Sequence, residues 1–276
     1  MRRLAYIKPA TQCEGEDLLG QWCASMGVAC VAGANAPLVF FKGFTREFLA
    51  GRAGTSREWL SKIGEAVDSL ARGKSFVIVD GVGFPAVGSV VGVDNAEVAI
   101  ASRAPVVLVG KCGVGAAIDA FSLNASFFQA KGVPVIGAVF NRGDLTGFYD
   151  YRECAEAIGS WFTMNRRREQ VFGVIPELEV LDGARERVGN GSLDGPAASH
   201  AAATNIAHVK AHVDVQALVL AAACDPWNRP VGGSPPAALS SSASGAAPAV
   251  ASGVPLAARS RAQVEAAAAS KGAKGG

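Results

Sequence analysis

The sequence predicts an α/β fold: a doubly wound, mostly parallel sheet with helices on both faces. Three observations lead there. Short, nearly continuous apolar runs recur along the first two-thirds of the chain, the pattern of strands buried on both sides. Longer segments with apolar residues at helical spacing separate them, and strand, helix, strand in that order gives right-handed crossovers and parallel pairing. Capping residues open the helical segments and glycine closes them.

The strands, in order, are RLAYI (3–7), FVIV (76–79), VVLV (106–109), VPVIGAVF (133–140) and VFGVI (171–175). All five are expected to lie parallel and central in one layer running from residue 2 to about 178. Among the helices, TSREWLSKIGEAVDSLARG opens with Thr55 and Glu58 at capping-box spacing, repeats apolar residues at Leu60, Ile63, Val67 and Leu70, and ends on Gly73. Asp94 and Glu97 repeat the capping signal before VAIASRA. After Pro176 the pattern weakens to one helical stretch, about 205–224. Residues 1–228 are therefore read as one α/β domain, with a core over 2–178 and a helical extension over 179–228. From Arg229 to Gly276 the text is Ala, Ser, Pro and Gly with almost no large apolar residue, which cannot bury enough surface to order itself. That segment is expected to be a disordered tail, with transient helix over 260–270 at most.

Composition narrows the function classes. The chain has 276 residues, 50% of them hydrophobic and 18% charged, ample for one large core. Its net charge of +2 comes from the tail, where Arg229, Arg259, Arg261, Lys271 and Lys274 face the single acid Glu265. A neutral body lacks the basic footprint that phosphate-backbone binding needs, so nucleic acid is not an expected partner. Cysteines 13, 23, 30, 112, 154 and 224 form no C-x-x-C pair and read as reduced, mostly buried thiols of an intracellular protein. No run approaches the roughly 18 apolar residues of a membrane span, and MRRLAYIKP is too short for a signal peptide.

In an open parallel sheet, ligands bind beyond the carboxyl ends of the strands. The residues there are Lys8 and Pro9, Asp80 and Gly81, Gly110 and Lys111, Asn141 and Arg142, and Pro176 and Glu177. Asp80 is the most specific of them. A carboxylate at the tip of a VIVD strand is a natural Mg²⁺ ligand, since a hard cation takes carboxylate oxygen, and Gly81 and Gly83 would let a ligand approach the backbone. A capping acid before a turn is the plainer use of the same residue. A phosphate loop should accompany such a site, and neither candidate fits. GKS at 73–75 has Asp68 where a P-loop needs glycine, and it leaves a helix for a strand rather than the reverse. GKCGVG (110–115) does run from strand to helix, but its spacing is that of a tight turn. His208 and His212 sit at i, i+4 with no evident third ligand, so a solvated helix face is expected rather than a metal site.

KPATQC, GEDLL, VIVDGVGF, the DNAEVA helix start, APVVLV, GAAIDAFSLNASFFQAKGVPVIGAVFNR and GVIPEL together resemble, in that order, dethiobiotin synthetase and its relatives. Those relatives include cobyrinic acid diamide synthases and the N-terminal dethiobiotin-synthetase-like domain of some phosphate acetyltransferases. The resemblance implies a P-loop NTPase-like fold that binds ATP and Mg²⁺ and, in the synthetase, closes a ring with CO₂ through a carbamate and a carboxyl-phosphate intermediate. By position it implies that Lys8 neutralises carbamate or phosphate, and that Asp17 and Asp80 hold the metal. It further implies that Thr11, Gly81, Gly83 and Asp119 line the substrate, that Asn141 reads the adenine edge, and that Pro176, Glu177 and Leu178 flank the base. A homodimer in the cytoplasm or an organellar matrix, acting on a small-molecule substrate or nucleotide, is the matching expectation.

Departures from the pattern accompany the match. Relatives begin with a strand and P-loop before the K-P strand, whereas this sequence starts at the K-P strand. Asp80 replaces the usual Glu, Phe84 replaces the last glycine of G-x-G-G, and K-P-x-x-T-G reads K-P-A-T-Q-C, moving the hydroxyl to Thr11. Two expectations follow. One is an ATP-dependent carbon–nitrogen ligase truncated at its N-terminus, binding ATP and Mg²⁺ weakly in this chain alone. The other is a non-catalytic nucleotide-sensing or interaction domain of the acetyltransferase type.

Overall fold

A computed structural model describes residues 3–12, 18–178 and 196–228. The tail (229–276), part of the helical extension, Cys13 and Asp17 lie outside them. Among the described residues there are eight strands: β1 (Leu4–Ile7), β2 (Ala10–Thr11), β3 (Ala29–Val31), β4 (Leu38–Val39), β5 (Phe76–Val79), β6 (Val106–Lys111), β7 (Val135–Gly143) and β8 (Gln170–Pro176). The helices are α1 (Leu18–Ser25), α2 (Phe44–Leu49), α3 (Ser56–Ala71), α4 (Asn95–Ser102), α5 (Gly115–Ala130), α6 (Tyr151–Asn165), α7 (Pro196–His212) and α8 (Val215–Cys224).

Every strand pairing between these elements is parallel, as the apolar runs predict. The single-layer expectation is corrected. The strands fall into two three-stranded sheets, β3-β1-β5 and β6-β7-β8, with a small β2-β4 pair beside them. FVIV and VVLV are therefore edges of their sheets and not central strands. β1 and β7 are the inner ones, and β7 is the longest and most deeply buried strand.

Helices cover one side of both sheets without a break. Ile63 of α3, Val98 of α4 and Val79 of β5 share one apolar cluster. Ala96 and Ala99 of α4 join Phe121 of α5, Phe162 of α6, Leu108 of β6 and Ala138 of β7 in another. So α4 belongs to both clusters and spans the break between the sheets. Its start is fixed by Asp94, 3% exposed, whose carboxylate accepts from the Ala96 and Glu97 amides. The Glu97 side chain does not close the capping box; it turns to Lys131, whose Nζ lies 2.9 Å from Glu97 and 2.7 Å from Asp94. Burial pulls the Lys131 ammonium down, and the two carboxylates outweigh it, leaving its pKa raised. Its contribution to stability is thus full below the ordinary lysine value and is lost only as pH rises through the raised one. At α3 the box is complete, with Thr55 and Glu58 each bonded to the other's amide.

Among the described residues, the opposite side is covered at its ends. Around Tyr6 of β1, Trp22 and Cys23 of α1 pack with Val28. On the second sheet, Val107, Val139 and Phe172 meet Val209 of α7 and Leu218 and Ala221 of α8. The helical stretch expected over 205–224 is in fact two helices, broken where Asp214 caps α8 through the Ala217 amide.

The loop from β5 to α4 is shaped by Gly88, which holds φ +96° and where an added Cβ would overlap the carbonyl oxygen of Val93. Gly88→Ala should therefore cost at least about 2 kcal/mol. Urea unfolding measures it, and a loss within about 0.5 kcal/mol would contradict this packing.

Candidate functional site

The carboxyl ends of β1 and β5 meet through three side chains. The Lys8 ammonium lies 3.2 Å from Asp80 Oδ2, and the Tyr6 hydroxyl donates to the same oxygen at 2.6 Å. Register explains the meeting. Tyr6 stands opposite Ile78 in the parallel ladder, so Lys8 and Asp80, two residues on from each, share its face. The Asp80 amide donates to the Ile7 carbonyl at 2.8 Å, which holds the acid against the strand end. Lys8 and Asp80 are partly exposed, at 26% and 37% of their side chains. Sequence reasoning named Lys8 and Asp80 but not Tyr6, which is 5% exposed within an apolar run and shares the strand face of Lys8 two residues on.

Past Asp80 the backbone is held by Asn95, the first residue of α4. Its Oδ1 accepts from the Val82 amide at 2.9 Å, and its Nδ2 donates to the Val82 and Phe84 carbonyls. Gly81 lies under this side chain, where a Cβ would come within 2.9 Å of Asn95 Oδ1. Gly83 is in the left-handed region at φ +58°. Both glycines are thus required by the loop's own packing, whatever ligand passes over it.

On the second sheet the strand ends form a separate group. Asn141 is exposed, and its Oδ1 accepts from the neighbouring Arg142 amide. Arg142 adopts φ +63° and reaches Glu177 at 3.0 Å. The Glu177 amide donates to the Gly143 carbonyl, joining the ends of β7 and β8. Pro176 is buried at the end of β8, and Leu178 is half-buried beside Glu177. Thr11 is 1% exposed in β2, so its hydroxyl does not face an open cleft. Asp119 is exposed on α5. The structure therefore joins Lys8 to Asp80, and the end of β7 to the 176–178 segment through Arg142 and Gly143, as two groups on two sheets. Asp17 lies outside the described residues.

The motifs set aside behave as turns. GKS forms the end of α3 and its entry into β5, with Gly73 at φ +70°. GKCGVG carries β6 into α5 through Gly113 at φ +137°. The two histidines, expected on a solvated face, are half-buried instead: His208 Nε2 meets the Pro176 carbonyl at 2.9 Å, His212 Nδ1 meets the His208 carbonyl at 2.8 Å, and the His212 ring packs edge-on against Tyr151. Among the described residues, no group of three or more His, Cys, Asp or Glu could hold a metal ion, and no helix is long and apolar enough to cross a membrane.

The described cysteines are free thiols; Cys224 is exposed, against the expectation of burial. Cys112 follows Lys111 at the end of β6, and burial, with Cys154 beside it, pushes its thiol up to about 11. Since the thiolate is the reactive form, iodoacetamide at pH 8 should modify Cys112 at least about tenfold more slowly than Cys224. Peptide mass spectrometry over time reads both rates, and equal rates would contradict this assignment.

Residues 4–185 match the AAA domain family model AAA_26. This chain belongs to that family, and its parallel sheets and flanking helices are those of a P-loop NTPase-like α/β domain. No curated protein matches the chain. Among solved structures, apo McdA of Cyanthece is similar at 15% identity and a TM-score of 0.38, over 67% of this chain and 78% of that one.

Proposed function

We propose that this member of the AAA domain family is an ATP- and Mg²⁺-dependent carbon–nitrogen ligase domain of the dethiobiotin synthetase type. The supporting observation is the division of strand-end residues. A lysine and a carboxylate suited to charge handling stand at the ends of β1 and β5. An amide side chain and a Pro-Glu-Leu turn suited to a base stand at the ends of β7 and β8. A nucleotide laid across the strand ends would meet both groups.

Lys8 offsets the negative charge of a substrate carbamate or acyl phosphate, an electrostatic role that a half-buried ammonium performs well. Asp80 orients that ammonium. Both bonds to Asp80 fall on Oδ2, so Oδ1 is the oxygen offered to a cation or its water shell, with Asp17 as the second carboxylate. Bound Mg²⁺ would offset phosphate charge at that point. Asn141 Nδ2 donates to the adenine edge, and Pro176, Glu177 and Leu178 flank the ring. Gly81 and Gly83 keep the loop after β5 low, and Thr11 and Asp119 remain substrate contacts by position.

A second reading, the non-catalytic nucleotide-sensing domain of the phosphate acetyltransferase type, is favoured by one observation. Asp80 Oδ2 already holds both the Lys8 ammonium and the Tyr6 hydroxyl.

Calorimetric titration separates these readings. The 276-residue chain should bind ATP with Mg²⁺ more weakly than about 100 μM, because the described loops offer no cradle for the β and γ phosphates. Asp80→Asn should lower Mg²⁺-dependent binding by about tenfold or more. It should change stability by only about 1 kcal/mol, since the pair is partly exposed. Loss of stability with unchanged binding would make Asp80 a structural latch, and low-micromolar binding by the 276-residue chain would overturn the missing cradle.

A further inference from the structure

Two exposed features on different elements complement one another. The first is the loop from β7 to α6. Phe148 is 85% exposed and Tyr149 59%, and their rings meet edge-on with centroids 4.8 Å apart. The loop is held in this shape. The Tyr151 amide donates to the Asp144 carbonyl at 2.8 Å, Asp150 caps α6 through the Arg152 and Glu153 amides, and the Cys154 thiol donates to the Tyr149 carbonyl at 3.4 Å. Leu145, also exposed, adds a third apolar side chain. Around them, residues 144–156 carry four acids, Asp144, Asp150, Glu153 and Glu156, against the single base Arg152. Adjacent aromatic rings left in water on a fixed loop mark a contact surface.

The second feature is a cleft of about 440 Å³ beside α2, lined by Val39, Phe41, Phe44, Ala53 and Trp59, with Glu47 and Arg52 on its wall. Its aromatic residues brace one another. Buried Phe44 meets Phe40, Phe41 and Trp59 edge-on, with centroids 5.4, 5.3 and 5.9 Å away, and the Trp59 indole donates to the Ala53 carbonyl at 2.8 Å. Here the charge has the opposite sign. Residues 41–62 carry five exposed bases, Lys42, Arg46, Arg52, Arg57 and Lys62, against Glu47 and Glu58. Glu47 is taken by Arg52, at 2.6 and 2.8 Å, so the excess of positive charge lies on the other four.

We infer that the Phe148–Tyr149 loop of one copy of this chain seats in the Phe41–Trp59 cleft of a second copy. Charge selects the occupant: a loop region of net −3 meets a cleft region of net +3, and the two cancel in the nearly neutral sum of the chain. Such complementarity steers the encounter, while aromatic anchors in a braced pocket hold it. The volume also suits, since clefts of roughly 300–1,000 Å³ enclose groups the size of an aromatic pair. Because the loop is already closed by its own hydrogen bonds, little ordering opposes the docking. The surface given differs from the surface received, so the contact is heterologous. Two copies across a two-fold axis would exchange loops and close as a dimer. Both surfaces are complete without nucleotide, so the inference stands apart from the ligase reading. It also reaches the candidate site, because the loop leaves β7 just after Asn141 and Arg142 and docking would fix the backbone there.

Sedimentation velocity on the 276-residue chain, without nucleotide and at about 1 to 100 μM, tests this. The chain should associate with a Kd of about 10 μM, weakened at least about fivefold between roughly 50 and 500 mM salt. Phe148→Ser in the loop and Phe41→Glu in the cleft should each weaken association at least about tenfold. The exposed Phe148 ring can be removed with a melting temperature within about 2 °C of the parent. If Phe41→Glu unfolds the cleft, Arg46→Glu takes its place, reversing an exposed charge and leaving the aromatic residues intact. Mixing then separates a loop-in-cleft contact from any other. The loop variant keeps its cleft and the cleft variant keeps its loop, so the mixture should associate where neither does alone. A parent that is monomeric at about 100 μM, association indifferent to Phe148→Ser, or a mixture that stays monomeric would each overturn the inference.

Discussion

Amides on the inner strands of a parallel sheet must be paired on both edges, because no water reaches them once helices cover both faces. Among the described residues, β1 and β7 have a partner strand on both edges, while β5 and β6 each lack one on the side of the break. The rest of the architecture depends on how the gap is bridged. Helix α4, pinned by its Asp94 cap and by Lys131, carries one face of the molecule across it. Without that helix, the described contacts would leave β3-β1-β5 and β6-β7-β8 with no shared layer at this point. The exposed Ile78 and Val109 sit where α4 does not reach, on the other face.

The same gap separates the chemistry. Lys8, Tyr6 and Asp80 form a closed cluster in which the acid is satisfied by an ammonium and a phenol. Metal or phosphate binding would have to compete with the Lys8 contact, and the partial exposure of both partners keeps that competition inexpensive. On the far side, Arg142 and Glu177 lock the ends of β7 and β8 in one shape, so the Asn141 side chain is presented by a fixed backbone.

Much of this was legible in the sequence, for identifiable reasons. The apolar runs located β1, β5, β6, β7 and β8, because strands of a helix-covered parallel sheet are written almost wholly in apolar side chains. The Thr55–Glu58 box located α3 to within two residues. What was not legible was neighbourhood. Residues 76–79 and 106–109 read as inner strands because their composition is that of inner strands, and only the pairing pattern reveals them as edges. β2, β3 and β4, two or three residues each, are too short to generate a period. At the candidate site, Lys8 and Asp80 were found from their place at strand ends, while Tyr6 was hidden inside an apolar run. The histidines misled because i, i+4 spacing says which face they share and nothing about Tyr151, which packs on that face.

Amide hydrogen exchange on the 276-residue chain tests the central claim most directly. The amides of Val77, Val79, Val107 and Val109 alternate with those donated to β1 and to the β7 side. If the sheet is broken between β5 and β6, these four should exchange at least about a hundredfold faster than those on the inner strand β7, such as Val139 and Phe140. Protection of those four amides equal to that of β7 would mean that β5 and β6 are paired along their outer edges, and the account of a sheet broken there would be wrong.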